Sequence, residues 1–75
     1  MNHKQIINEC ERLGLKVQQV PSSGRRSYQA KNEKILVYWD TSYEGGLLGS
    51  PRIMHKGGDT HITSLKTIEF YLKLG

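Results

Sequence analysis

Residues 15–39 read LKVQQVPSSGRRSYQAKNEKILVYW, and this stretch decides the fold because it contains three runs of alternating apolar and polar side chains. The runs are residues 15–20, 27–31 and 34–39, and Pro21 ends the first of them. Alternation with a period of two is typical of strands that bury one face. Because only short polar connections separate the runs, the sequence predicts an antiparallel meander.

A helix is predicted on each side of these strands. Asn2 has the capping-box spacing to a glutamine three residues on, and apolar residues then recur at helical spacing over residues 3–13. Gly14 suits the left-handed residue that often ends a helix. The second helix is predicted to begin at Thr63 or Asp59 as its capping residue and to continue to the end of the chain.

Residues 40–58 are harder to interpret, because five glycines and Pro51 interrupt a stretch that is long for a structureless loop. A short fourth strand at residues 52–55 is one alternative, and apolar side chains folding back over Leu36 are the other. The sequence therefore predicts one α+β domain over residues 1–75, in the order α-β-β-β-α. Its expected sheet is three-stranded and antiparallel, with both helices packed on one face and with or without the fourth short strand.

Length and composition restrict the classes of function. A 75-residue chain has a small core, which disfavours a deep substrate cavity and an elaborate enzyme. Its single cysteine, Cys10, cannot form an intramolecular disulfide, which favours a reducing compartment. We find no signal-peptide-like or membrane-spanning apolar run, so we expect a cytoplasmic protein with no membrane partner.

Positive charge is concentrated in one part of the chain. The net charge is +4, and charges of opposite sign cancel in the other segments. Residues 15–34 contain five cations and only one acid, Glu33. A local excess of this kind attracts polyanions when the side chains converge in space.

We interpret this excess as a nucleic-acid-binding surface. If Tyr28, Val37 and Trp39 face the helices, the opposite face of the sheet presents lysines, amides and a tyrosine, which suit phosphates, base edges and base stacking. The sequence favours a small non-enzymatic module that binds nucleic acid, preferably RNA. A solvated outer face and an acidic protein partner are the alternatives. The predicted binding residues are Lys16, Arg25, Arg26, Gln29, Lys31, Lys34, Tyr38, Arg52 and Lys56.

A second hypothesis is a protein–protein regulator or inhibitor of the kind that mobile elements encode. Phe70 and Leu74 lie off the main apolar stripe of the last helix, and Leu47 and Leu48 lie in the glycine-rich segment. Together these four residues are predicted to form an exposed apolar patch for a larger partner, or for a second copy of the chain.

The order helix, three strands, helix resembles that of double-stranded-RNA-binding domains and of HicA-type mRNA interferase toxins. The stretches KQIINECERLGLKVQQV, KILVYW and TSLKTIEFYLKLG look like the opening helix and strand, the third strand and the closing helix of HicA-like proteins. The resemblance implies this fold and contact with RNA. HicA toxins depend on a histidine shortly after a loop glycine, and here Gly24 is followed by Arg25 and Arg26. Toxin activity is therefore a further alternative, and no catalytic residue is carried over.

Catalytic and metal sites receive little support from the sequence. His55, Asp59 and His61 are the residues that acid–base catalysis would use, and the loop at residues 55–59 is interpreted as a flexible turn ahead of the last helix. The cysteine and histidines have no recognisable ligand spacing. We therefore predict no metal and no cofactor.

Overall fold

The computed structural model describes residues 1–74, and we number its helices and strands in chain order. They are α1 (His3–Arg12), β1 (Lys16–Val20), β2 (Arg26–Lys31), β3 (Leu36–Thr41), β4 (Leu47–His55), β5 (Gly58–His61) and α2 (Lys66–Leu74). The α+β class and the position of a helix before and after the strands agree with the sequence prediction.

The strands form one five-stranded antiparallel sheet in the order β1-β2-β3-β4-β5. The meander is therefore present, but it is larger than the three or four strands predicted. Residues 40–58 are mostly strand, because their glycines lie largely at turns rather than throughout a loop. Gly45 has φ 100° between β3 and β4, and Gly58 has φ 128° where β5 begins.

The start of α2 also differs from the prediction. Asp59 is not a helix cap, since it lies in β5 opposite Met54. The loop predicted to precede the last helix is instead the tight turn of the β4–β5 hairpin, where His55 pairs with Gly58. β5 was not predicted because its residues, GDTH, have no alternation of apolar and polar side chains.

α1 forms as its capping signal indicates. The Asn2 side chain accepts a hydrogen bond from the Gln5 amide at 2.9 Å, and the Gln5 side chain accepts one from the Asn2 amide at 3.0 Å. The helix buries Ile6 and Cys10, and Gly14 follows it with φ 81°. None of the helices within residues 1–74 combines the length and apolarity needed to cross a membrane.

The core lies against one face of the sheet. Ala30, Val37 and Ile53 are neighbours across β2, β3 and β4, and all three are fully buried. They belong to one cluster with Ile6 of α1 and Ile68 of α2. We call this side of the sheet the buried face. The alternate positions of the strands are exposed or half-buried, and we call that side the accessible face.

An ion pair connects the two helices directly. Arg12 of α1 contacts Glu69 of α2 at 3.1 Å and also binds Glu9 at 2.7 Å. Hydrogen bonds from Lys73 and then from Arg12 lower the pKa of Glu69, and the hydrogen bond from Arg12 lowers the pKa of Glu9. The contact brings the last turn of α1 close to α2.

Candidate nucleic-acid interface

Four lysines gather at one end of the sheet. β1 begins at Lys16 and β2 ends at Lys31, and these two residues are direct cross-strand partners. Lys34 lies in the β2–β3 turn and Lys56 in the β4–β5 turn, and an antiparallel meander brings both turns to this same end. We call this group of four residues the lysine end.

The four lysines of the lysine end carry positive charge that no ion pair within the described residues neutralises. The ion pairs within residues 1–74 involve none of its four lysines. Glu33 is the one acid in the β2–β3 turn. The pairing of Lys16 with Lys31 places like charges directly opposite each other, an arrangement that by itself destabilises a sheet.

Side-chain hydrogen bonds order the two turns that carry Lys34 and Lys56. The Asn32 side-chain oxygen accepts from the amides of Lys34 at 2.8 Å and Ile35 at 2.9 Å. In the other turn, the Gly57 amide donates to Nδ1 of His55 at 3.1 Å. The backbone that presents these two lysines is therefore fixed by local contacts.

His55 lies beside the lysine end with both ring nitrogens engaged. Since Nδ1 accepts the Gly57 amide hydrogen, we assign the ring proton to Nε2, which lies 2.8 Å from Oγ1 of Thr60. The ring also stacks on Tyr71 with centroids 3.9 Å apart and an interplanar angle of 15°. Both ring nitrogens of His55 are therefore occupied by contacts within the β4–β5 hairpin.

A polar row crosses the accessible face next to the lysine end. The strand registers align Gln18, Gln29, Tyr38, Arg52 and His61 from β1 to β5. Gln29, Tyr38 and Arg52 are among the predicted binding residues, and the structure places them side by side. His61, at the end of the row, is exposed.

Asp59 neutralises part of this row. The Tyr38 hydroxyl donates to Oδ2 of Asp59 at 2.5 Å, and Nε of Arg52 lies 3.6 Å from Oδ1 of the same carboxylate. The hydrogen bond to Asp59 raises the pKa of Tyr38. Sequence reasoning missed this contact because it placed Asp59 at the start of a helix. Strand β5 instead brings the acid onto the accessible face.

Arg25 and Arg26 lie at the opposite end of the sheet from the lysines. Nη1 of Arg25 is 3.6 Å from Oδ2 of Asp40. Arg26 pairs with the buried Thr41, and its Cζ lies 5.8 Å from the ring centroid of Tyr43. The five residues of β1 separate the two ends by about 13 Å. The five cations of residues 15–34 therefore do not converge on one patch, because a hairpin places its loop and its open end apart.

The four predicted partner-binding residues do not form one surface. Leu47 packs against the core cluster, whereas Leu48 is 43% exposed. Phe70 and Leu74 are exposed on α2. The accessible face has a different apolar region, where Leu36 pairs with Met54, one of the apolar side chains that the sequence analysis expected over Leu36.

Comparison with known proteins gives no relative for this chain. It matches no protein-family model, no curated protein and no solved structure. The resemblance to HicA-like and double-stranded-RNA-binding domains therefore stays a prediction. Residues 1–74 also bring together no group of three or more His, Cys, Asp or Glu side chains that could hold a metal ion.

Proposed function

We propose that this protein is a non-enzymatic module that binds single-stranded nucleic acid, with RNA preferred, through its lysine end and the adjoining accessible face. The observation that carries the proposal is the group of four lysines without an acidic partner in the described part of the chain. The nucleic acid would run across the strand ends, with its phosphates at the lysines.

The proposal requires an uncovered sheet face, and the helix contacts support one. Buried residues of both helices share a cluster with Val37 and Ile53 of the buried face, and Arg12 pairs with Glu69 between the helices. We infer that both helices cover the buried face. The other face is then free to meet a ligand.

Lysine ammonium groups suit a sugar–phosphate backbone. They neutralise phosphates and release condensed counterions, which supplies most of the sequence-independent affinity. The four lysines extend from β1 to the β4–β5 turn, a width of about 14 Å at the usual strand spacing. This width accommodates several phosphates of one strand.

The polar row is the reason for proposing single-stranded RNA as the preferred ligand. Amide groups such as those of Gln18 and Gln29 both donate and accept hydrogen bonds, so they can contact base edges and the 2′-hydroxyl of RNA. Bases become accessible to such contacts when they are not paired in a duplex. An open sheet face beside a basic edge therefore suits a single strand.

Fluorescence anisotropy with labelled oligonucleotides at several salt concentrations tests the proposal. Each neutralised phosphate on a single strand contributes about −0.7 to the slope of log K against log salt, so four lysines predict a slope of about −3. We expect single-stranded RNA to bind more tightly than single-stranded DNA or duplex RNA. Affinities that do not change with salt, or no binding to any of these, would contradict the proposal.

Charge-reversal variants locate the interface. Replacing Lys31→Glu and Lys34→Glu is expected to lower the affinity by more than about tenfold. The pair Lys4→Glu and Lys66→Glu makes the same change of net charge on the two helices and serves as the control. Equal losses in the two variants would show an effect of total charge and would contradict a local interface.

Replacing Arg25→Glu and Arg26→Glu tests the two predicted binding residues that lie at the opposite end of the sheet. Arg25 is already paired with Asp40, and Arg26 lies over Tyr43. We expect their double replacement by Glu to weaken binding less than replacement of Lys31 and Lys34. A larger loss of affinity would show that the interface lies at the opposite end of the sheet.

A second candidate function is binding of an acidic protein, as a small regulator or inhibitor. The observation in its favour is the apolar region beside the lysine end, where Met54 is 48% exposed next to Leu36. Affinity capture before and after nuclease treatment distinguishes the two functions. An acidic protein that stays bound after nuclease treatment, and is lost in Met54→Asp, would favour the second candidate. Light scattering of the isolated protein shows whether the partner is a second copy.

A further inference from the structure

A cleft of about 270 Å³ lies where the β2–β3 and β4–β5 turns meet α2. It receives one lysine from each turn, and none of its lining residues is acidic, while Glu33 lies in the adjoining groove beside Lys34. Its lining residues are Lys34, His55, Lys56, Gly57, Tyr71 and Leu74. It is the part of the lysine end where cations border a partly enclosed space.

The size of the cleft limits its ligand. Pockets for drug-sized molecules and cofactors are usually about 300–1,000 Å³. A cleft of about 270 Å³ lies just below this range, so it suits a phosphate group with part of its sugar better than a large cofactor. A ligand of this size can be the end of a longer chain that continues over the accessible face.

The other cleft residues are compatible with an anion. A free ring nitrogen of His55 could repel phosphate oxygens with its lone pair, but the Gly57 amide already donates to Nδ1 and Nε2 lies beside Thr60. The stacked ring of Tyr71 forms the side of the cleft that belongs to α2. Leu74 lines the same side of the cleft.

We infer that this cleft binds the terminal phosphate monoester of a nucleic-acid strand, a proposal that rests on the nucleic-acid-binding function proposed above. A phosphate monoester carries about −1.5 to −2 charges at neutral pH, compared with −1 for each phosphodiester inside a strand. Two ammonium groups, from Lys34 and Lys56, match the extra charge of the monoester. The protein therefore binds strand ends in preference to internal positions.

Three otherwise identical single-stranded RNAs test this inference by fluorescence anisotropy. One carries a 5′-phosphate, one a 3′-phosphate, and one has hydroxyl groups at both ends, with the label placed internally. We expect one phosphorylated RNA to bind about three- to tenfold more tightly than the hydroxyl RNA, because it adds a charge-assisted contact. Which of the two binds more tightly identifies the end that enters the cleft.

Variants connect the preference to the cleft. In the double variant Lys34→Gln and Lys56→Gln, we expect the phosphorylated RNA and the hydroxyl RNA to bind with the same affinity. Both RNAs still bind this variant through Lys16 and Lys31. The double variant Lys4→Gln and Lys66→Gln removes the same charge outside the cleft and is expected to keep the preference. Tryptophan fluorescence of each variant checks that it is folded.

The outcomes separate this inference from the proposed function. Measurable and equal affinities for the three RNAs would overturn the terminal-phosphate site and leave nucleic-acid binding in place. A preference that survives in Lys34→Gln with Lys56→Gln would place the phosphate elsewhere and also overturn it. Absence of binding to all three RNAs would overturn both proposals.

Discussion

The indole Nε1–H of Trp39 donates a hydrogen bond to Nδ1 of His3 over 2.8 Å, and this bond connects β3 to α1. Trp39 is buried, and Tyr28 contacts both rings, with its centroid 4.5 Å from that of His3 and 5.8 Å from that of Trp39. Burial lowers the pKa of His3 below its ordinary value of 6.5. A proton on Nδ1 and the hydrogen bond from Trp39 exclude each other.

This contact predicts a loss of stability in mild acid. Because the pKa of His3 is lower in the folded state than in the unfolded state, its contribution is complete above about pH 6.5 and is lost as the pH falls through the lowered folded value. We expect the urea midpoint, followed by Trp39 fluorescence, to decrease between pH 7.5 and pH 5. His3→Gln should reduce this dependence, whereas His61→Gln, at an exposed position, should retain it. An unchanged dependence in His3→Gln would refute the assignment.

Asp59→Asn is expected to strengthen nucleic-acid binding. Its carboxylate occupies the Tyr38 hydroxyl and pairs with Arg52 on the accessible face, so its removal frees both groups and eliminates a repulsive charge. We expect a gain of about two- to fivefold in affinity at low salt, the size of an exposed ion pair. Glu44→Gln, in the β3–β4 turn at the opposite end of the sheet, is the control with the same change of charge. Weaker binding by Asp59→Asn would instead show that this carboxylate orients the interface.

The two faces of β4 should differ in their contribution to stability. Ile53 is fully buried, and its neighbour Met54 points to the accessible face. Ile53→Val removes one buried methylene group and should lower the free energy of unfolding by about 1 kcal/mol. Met54→Ala should change it by less than about 0.5 kcal/mol, as is usual for surface positions. Urea denaturation measures both values, and similar losses for the two variants would contradict the assignment of the faces.

Cys10 should react with thiol reagents only when the protein opens. Burial raises the pKa of its thiol to about 12, so the thiolate is scarce at neutral pH, and the side chain is fully buried in the core. We expect labelling by a disulfide-exchange reagent to be slow in buffer and to accelerate with urea in parallel with unfolding. Rapid labelling of the folded protein would mean that α1 separates from the sheet locally.

The local signals in the sequence predicted the fold well where they were strong. The capping box at Asn2 and the alternation in residues 15–39 correspond to α1 and to the first three strands. β5 could not be predicted in the same way, because its four polar residues depend on hydrogen bonds to β4 and not on burial of their own side chains. Because β5 was not predicted, the start of the last helix was also predicted too early in the chain.

The site was harder to predict than the fold for a related reason. Sequence proximity grouped Arg25 and Arg26 with the lysines, but strand pairing determines which residues share an end of the sheet. Lys16 and Lys31 are fifteen positions apart and face each other, whereas Arg25 lies at the far end of the same hairpin. The effect of Asp59 on the accessible face required knowledge of β5, which no pattern in the sequence indicated.

The uninterrupted strand order also has a consequence for how the chain reaches its native state. Each strand pairs only with its neighbours in sequence, so the sheet can assemble one hairpin at a time with short loops to close. The contact between His3 and Trp39 spans 36 positions, and docking of α1 therefore carries a larger entropic cost than any single hairpin. We therefore expect the first helix to dock after the hairpins of the sheet have formed.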